Sequence, residues 1–313
     1  MTGTPVEALL DVQDLSVAVT VGGTEYPALE NVSFSVGRGE ALGLVGESGS
    51  GKSLTLRALM GLLPTNARVS SGAIIFKGKD LLENNGRHIR GVRGTGIAMV
   101  FQDPAVALNP IARVGTQISD GVAYHRKLGK KAARAYAIHM MGLVGLPNPE
   151  QVVDAYPFQL SGGMRQRVMI AASVACEPSL ILCDEPTTAL DVTLQAQILA
   201  LFARLRDELD AGLLYVTHDL AVVAQLCDHI SVLYAGKLVE SGPIKNVLSQ
   251  PSHPYTQALL GAVPRLDEPV RRLVSIPGTT PSLAVRPPGY SFATRMAQVE
   301  LTPGSALLEG ASL

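Results

Sequence analysis

The residues with the clearest chemistry are Gly46, Glu47, Ser48, Gly49, Ser50, Gly51, Lys52 and Ser53, spaced as G-x-x-x-x-G-K-[ST]. Glycines at this spacing let successive backbone N–H groups turn inward around phosphate oxygens. A helix that follows adds the positive end of its dipole. A lysine placed like Lys52 reaches the β- and γ-phosphates of a nucleotide, and a hydroxyl placed like Ser53 ligates Mg²⁺. The plainer alternative is a glycine-rich turn with a chance lysine, and the second half of the chain argues against it.

There, the apolar run 179–183 ends in Asp184-Glu185-Pro186. An aspartate at the tip of a buried strand beside a phosphate loop is the Walker B carboxylate, holding Mg²⁺ directly or through water. Glu185, one residue on, points elsewhere and is placed to polarise a water for in-line attack on a γ-phosphate. Gln102 follows a second buried run, 96–101, and is placed to carry its amide to Mg²⁺ or to the attacking water. His218 follows a third run, 212–217, where it either bonds the γ-phosphate or sits at a helix cap just before Asp219. Ser161, Gly162 and Gly163 open another helical stretch. A hydroxyl followed by two glycines is a second anion site or simple helix capping, and capping physics alone favours the latter.

These residues need a frame. Residues 41–45 read as a buried strand feeding the phosphate loop, and 54–63 as a helix stopped by Pro64. Residues 9–21 and 28–36 alternate apolar and polar side chains, which predicts two half-buried antiparallel strands leaning on the nucleotide core. Between them, Tyr26 is placed to stack on adenine or to sit in a surface loop. Residues 72–76 predict a short strand, and 87–93 a basic, solvated face. From 103 to 156 strand patterns vanish, and 114–124 and 131–144 read as amphipathic helices of a helical insertion. A long amphipathic helix over 192–209, strands at 229–235 and 237–240, and a short helix at 243–248 complete the core. Nine prolines between 251 and 303 predict a loop-rich appendage, whose end, 302–313, is expected to be disordered. The pattern is an α/β phosphate-loop NTPase core with an antiparallel β subdomain, a helical insertion and a loop-rich C-terminal extension. Its boundaries fall at 1–250 for the nucleotide-binding domain, about 103–165 for the helical subdomain and 251–313 for the extension.

Composition narrows the class further. With 313 residues, a net charge of −1 and 47% hydrophobic residues, the chain can bury one large core or two smaller ones, and it lacks the broad basic face of a nucleic-acid binder. Cys176, Cys183 and Cys227 are too few and scattered for a disulfide framework and read as buried thiols in a reducing compartment. Residues 1–14 show no basic segment followed by an apolar core, so no signal peptide is expected. No window reaches the ~18 uninterrupted apolar residues of a spanning helix. A soluble cytoplasmic protein is expected.

In order and spacing these motifs resemble the nucleotide-binding subunits of ABC transporters, over residues 9–262. The resembling set is the phosphate loop, Gln102, Leu160-Ser161-Gly162-Gly163-Met164-Arg165-Gln166, Asp184-Glu185, Ala189-Leu190-Asp191 and His218. Phe101-Gln102-Asp103-Pro104, Leu108-Asn109-Pro110 and Ser252-His253-Pro254-Tyr255-Thr256 look more narrowly like the ATPases of oligopeptide and dipeptide importers. The resemblance implies ATP and Mg²⁺, with residues 46–53 serving the chain's own ATP and Ser161, Gly162, Gly163 and Gln166 serving that of a head-to-tail partner. Asp191 would lie at the dimer seam. It further implies a second, different ATPase subunit, two transmembrane permease subunits contacted through Gln102 and the insertion, and, indirectly, an extracytoplasmic solute-binding protein. The chain would be peripheral, on the cytoplasmic face of the membrane. Ser53, Gln102 and Asp184 would hold the metal, and Glu185, His218 and Gln102 would carry catalysis.

Two departures qualify the resemblance. The cysteine-bearing frame G-C-x-F-x-x-R-C of many importer ATPases stands here as Gly289-Tyr290-Ser291-Phe292-Ala293-Thr294-Arg295-Met296, so no iron–sulfur cluster is expected. Val19 fills the place of the aromatic that usually stacks on adenine. Competing readings are ABC ATPases of translation or DNA repair, opposed by the single cassette and the lack of paired cysteines or a long heptad run. A non-hydrolysing module is opposed by Asp184, Glu185 and His218. Nickel or oligosaccharide importers stay open, because such an ATPase does not touch cargo.

Overall fold

The computed structural model describes residues 8–188, 190–262, 276–287 and 289–300. The chain opens with an antiparallel pair, β1 (Leu10–Val21) and β2 (Thr24–Val36). β3 (Ala41–Val45) runs into the phosphate loop and α1 (Lys52–Leu59). β4 (Ala67–Phe76), β5 (Lys79–Asp80) and α2 (Glu83–Val92) then lead to β6 (Ile97–Val100). Five helices follow: α3 (Pro104–Ala107), α4 (Val114–Arg126), α5 (Lys130–Leu143), α6 (Pro149–Val152) and α7 (Gly162–Val174). After β7 (Leu180–Asp184) come α8 (Val192–Leu209), β8 (Gly212–Thr217), α9 (Leu220–Leu226), β9 (His229–Tyr234) and β10 (Lys237–Pro243). The last helices are α10 (Ile244–Ser249), α11 (Pro254–Gly261) and α12 (Phe292–Glu300).

The unbroken apolar runs form the parallel part of a six-stranded sheet of order β10-β9-β3-β8-β7-β6, in which only β10 is antiparallel to its neighbour. Every residue of β3, β7 and β8 is buried, which requires cover on both faces of the sheet. Leu180, Leu182, Leu214 and Val216 face one core, shared with Leu56 and Leu59 of α1 and with the inner side of the second sheet, β2-β1-β4-β5. Ile181, Cys183, Leu213 and Tyr215 face a second core, filled by Phe202 and Leu205 of α8 and by the helical insertion. Each fully buried leucine in these layers stabilises the fold by roughly 1.5–3 kcal/mol. The buried Tyr215 meets Phe202 edge-on at 5.8 Å and shares a 3.1 Å hydrogen bond with the Thr187 hydroxyl, so its polar end is satisfied. Cys183 and Cys227 are buried and Cys176 is half-buried.

Register matters most for function. β3 pairs β8 as Val45↔Thr217, β8 pairs β7 as Val216↔Asp184, and β7 pairs β6 as Cys183↔Val100. The carboxyl tips of four strands therefore end side by side. Three local expectations shift. The basic stretch 87–93 is largely helix α2, whose Ile89 is buried, and not merely a solvated face. β4 starts at Ala67, because Ala67, Arg68, Val69 and Ser71 pair with the far half of β1. Among its described residues the extension holds two α-helices; Pro254 begins α11 at a position where a missing N–H costs nothing, with His253 as its cap. Residues 302–313 lie outside the described residues.

Candidate functional site

α1 begins without a side-chain cap. Gly51 precedes it at φ 112°, a left-handed conformation that favours glycine, and a Cβ there would press on Leu29 at 2.5 Å. A Cβ on Gly46 would run into the Leu233 carbonyl, so the loop also needs glycine at its start. The first-turn N–H groups of α1 thus keep no side-chain partner of their own, which is what an anion site at a helix N-terminus requires. Lys52 is only 5% exposed, and its amine donates to the Gly46 carbonyl at 2.7 Å and the Glu47 carbonyl at 3.1 Å. Burial lowers its pKa, while the attraction of Glu185, 3.5 Å away, works against that shift.

The other strand tips complete the cluster. At the end of β7 the Asp184 carboxylate accepts from the Ser53 hydroxyl at 2.7 Å. Burial pushes its pKa up, and the Ser53 hydrogen bond draws it back. Glu185 sits at φ 46°, in the left-handed region. Its Oε1 faces Lys52, and its Oε2 accepts from the Thr188 hydroxyl at 3.0 Å and lies 3.1 Å from His218 Nδ1. Backbone strain of this kind concentrates where a side chain must be aimed. His218 leaves the tip of β8, and the cap of α9 is supplied by Asp219, whose carboxylate accepts from the Ala221 N–H at 2.8 Å. Gln102, two residues beyond β6, lines the same cleft, whose volume is about 360 Å³.

This donor set suits a hard cation. A hydroxyl, a carboxylate and an amide oxygen, from Ser53, Asp184 and Gln102, are ligands Mg²⁺ takes alongside phosphate oxygens. The loop also buries the Ser50 hydroxyl without any hydrogen-bond partner in the described residues, a polar atom inside the phosphate cradle.

The signature residues lie elsewhere. Ser161 caps α7, its hydroxyl accepting from the Met164 N–H at 3.3 Å, and Ser161 and Gly162 are exposed. Asp191 caps α8 by accepting from the Leu194 N–H at 2.9 Å. None of the four residues Ser161, Gly162, Gly163 and Asp191 lines the cleft around Lys52. Gln166 corrects the expectation that it faces a nucleotide: it is 1% exposed, and its amide donates to the Pro186 carbonyl at 2.6 Å, bracing the turn that carries Glu185. The cleft is also lined by Ala28 and, from the extension, Leu283. Tyr26 pairs with Val19 across the β1–β2 ladder and is not part of that lining. Sequence reasoning missed Thr188, Leu283, Tyr255 and Arg295. The last two stood in quoted motifs, but nothing local assigned them a role.

The glycine loop, the strand-tip carboxylates and a histidine on neighbouring parallel strands suit nucleotide phosphate chemistry, and the Ser161 helix start, with Ser161 and Gly162 exposed, stands outside that cleft. The sequence matches the ABC transporter family over residues 29–188 and the oligopeptide/dipeptide transporter C-terminal region over residues 239–300. The dipeptide transport ATP-binding protein DppD of Bacillus subtilis (strain 168) is 49% identical over 290 residues, 92% of this chain and 87% of its own length. The oligopeptide transport ATP-binding protein OppD of the same organism is 45% identical, covering 93% and 82%. Among solved structures, the ATP-binding cassette MJ0796, a dimer in a post-hydrolysis state with ADP and Pi, superposes with a TM-score of 0.67 at 25% identity, covering 75% of this chain and 98% of that one. The chain belongs to the ABC transporter family and is an ATP-hydrolysing enzyme of that family. No helix among the described residues is long and apolar enough to cross a membrane.

Proposed function

We propose that this chain powers an importer of dipeptides or oligopeptides, as one of two ATPase subunits seated on the cytoplasmic face of two membrane permeases. The observation that carries the reading is one cleft lined by Lys52, Ser53, Gln102 and Glu185, with Asp184 bonded to Ser53 and His218 to Glu185, and with the exposed Ser161 helix start outside that cleft. A half-site of each kind on one chain makes sense if two ATPases close head to tail, each lending its Ser161–Gly163 turn to the other's ATP. Asp191 then lies near the seam.

Within the cleft, Lys52 leaves the loop carbonyls for the β- and γ-phosphates, and the α1 N–H groups take their oxygens. Ser53, Asp184 and Gln102 would hold Mg²⁺, which would supply charge neutralisation to the phosphates. Glu185 orients and polarises the attacking water. His218, hydrogen-bonded to Glu185, fixes that carboxylate and reaches the γ-phosphate. ATP favours the closed dimer only by as much as it binds that state better than the open one.

Exposed apolar side chains support a membrane partner at the insertion. Phe101, Val106, Ile111, Tyr124 and Phe158 are 44%, 84%, 85%, 80% and 71% exposed and cluster in sequence around Gln102 and the inserted helices. Gathered into one patch, side chains of this kind would form a docking surface. The peptide cargo rests on the relatives' names and on the match of the extension; an extracytoplasmic solute-binding protein would deliver it. Affinity capture of the tagged chain from detergent-solubilised native membranes tests the reading. Co-purification of two multi-span permeases and a second ATPase is expected. Recovery of ribosomes or repair factors alone would overturn the transport assignment and leave the ATPase standing.

A further inference from the structure

Glu47 belongs to the phosphate loop, yet its side chain points away from the cleft and is gripped from outside. Arg295, on α12, donates from Nη1 to Glu47 Oε2 at 2.6 Å and from Nη2 to Oε1 at 3.3 Å. The guanidinium is 2% exposed, and it also donates to the carbonyls of Pro277 at 2.8 Å, Gly278 at 2.8 Å and Ile276 at 3.3 Å. The Glu47 N–H donates to the Tyr255 hydroxyl of α11 at 2.9 Å, while its carbonyl accepts from Lys52. Every polar group of Glu47 is engaged, and the extension holds two of the three.

The extension that delivers these contacts is itself anchored to the sheet by rings. Tyr234, at the end of β9, packs against Tyr255 at 4.5 Å, Phe292 at 5.6 Å and Tyr290 at 6.2 Å. Tyr290, 4% exposed, occupies a position where the resembling frame carries cysteine, and Met296 occupies the other. A buried phenol whose pKa burial pushes up, and a thioether, do not fit the thiolate ligation of an iron–sulfur cluster. Aromatic packing fastens the segment here. A second tie runs through Arg286, which donates to the Ala235 carbonyl at 2.9 Å, and the adjacent Gly236 N–H donates to the Ser50 carbonyl at 2.8 Å. The extension thus holds the phosphate loop directly at Glu47, while Ser50 is held by Gly236 of the core, next to the residue that Arg286 grips.

A glycine-rich loop loses more backbone freedom on ordering than any other segment of its length. When it is held in its binding shape before the nucleotide arrives, that loss is not charged against affinity. We propose that the C-terminal extension is a brace for the phosphate loop, with Arg295 and Tyr255 as positioning residues that set the affinity for ATP through Glu47. The proposal rests on the ATPase reading above and goes beyond it, because it makes nucleotide affinity depend on a segment that touches no phosphate.

The test compares Arg295→Met, which keeps an apolar stem beside Phe292, with Glu47→Gln and the double variant, all as full-length chains. Titration calorimetry with ATP and Mg²⁺ gives Kd, and the assembled transporter gives KM and kcat. Loss of one buried, charge-assisted pair is expected to weaken Kd and raise KM by about tenfold, and for Arg295→Met kcat should stay within about twofold of wild type. The double variant should be no weaker than either single one, because both remove the same link. A Kd for Arg295→Met within about twofold of wild type, or losses that multiply in the double variant, would overturn the brace. If Arg295→Met does not fold, Tyr255→Phe keeps the ring packing and removes only the acceptor for the Glu47 N–H. It should weaken Kd by roughly threefold, and an unchanged Kd would overturn the proposal. Failure of the wild-type chain to bind ATP would instead sink the ATPase reading on which the brace depends.

Discussion

The starts of α1 and α7 both combine glycine with a small hydroxyl residue, yet the molecule treats their N-termini in opposite ways. Gly51 leaves α1 uncapped, and the open N–H groups face a cleft completed by the buried Lys52, by Ser53 on Asp184 and by Glu185 beside His218. Ser161 caps α7 with its own hydroxyl and stands exposed with Gly162. The same local chemistry therefore lines a cleft in one place and stands exposed in the other. A helix terminus becomes a binding site when tertiary neighbours bring complementary groups to it, and only α1 has such neighbours within this chain.

Substitutions can break that contrast, beginning with the strongest. Glu185→Gln should lower kcat by about 10²–10⁴-fold, while calorimetry finds ATP bound about as tightly as in wild type. Turnover near the wild-type rate would remove Glu185 from the role of base. Ser161→Ala should leave ATP binding by the isolated chain unchanged and lower ATPase activity of the assembled pair by roughly ten- to a hundredfold, the worth of one hydrogen bond to a charged group. If instead the isolated chain lost ATP, α7 would belong to the chain's own site and the contrast would fail. Gly51→Ala forces a left-handed φ and a contact with Leu29, at about 1–3 kcal/mol. Thermal unfolding should show a lower Tm together with weaker ATP binding. Asp191→Ala removes the α8 cap, worth about 1 kcal/mol. A small drop in Tm with unchanged ATP affinity would place it outside the cleft, as its geometry does.

Much of this was legible because it is local. The phosphate loop, the Asp184-Glu185 pair and His218 each follow an apolar run, and a run of that kind needs no distant partner to be recognised. The basic helix α2 was missed because only Ile89 and Val92 supply its apolar face and two glycines interrupt it. The helices of the extension were hidden by proline, although Pro254 starts a helix and does not break one. Gln166 was read as a ligand from its place in the signature; its burial under Pro186 follows from how α7 packs against the turn after β7.

The sequence by itself determined the segments that can adopt each conformation: the glycines that let the loop turn, the hydroxyls that can cap a helix, and the apolar strands that must be covered on both faces. These are consequences of φ/ψ freedom and side-chain period within a few residues. Only the tertiary structure decided which of them meet. The order β3-β8-β7-β6 brings Lys52, His218, Glu185 and Gln102 to one edge, and the packing of four aromatic rings brings Arg295 to Glu47 across 248 residues. Neither has a local period to read, because each is set by which buried surfaces fit together once the whole chain has collapsed.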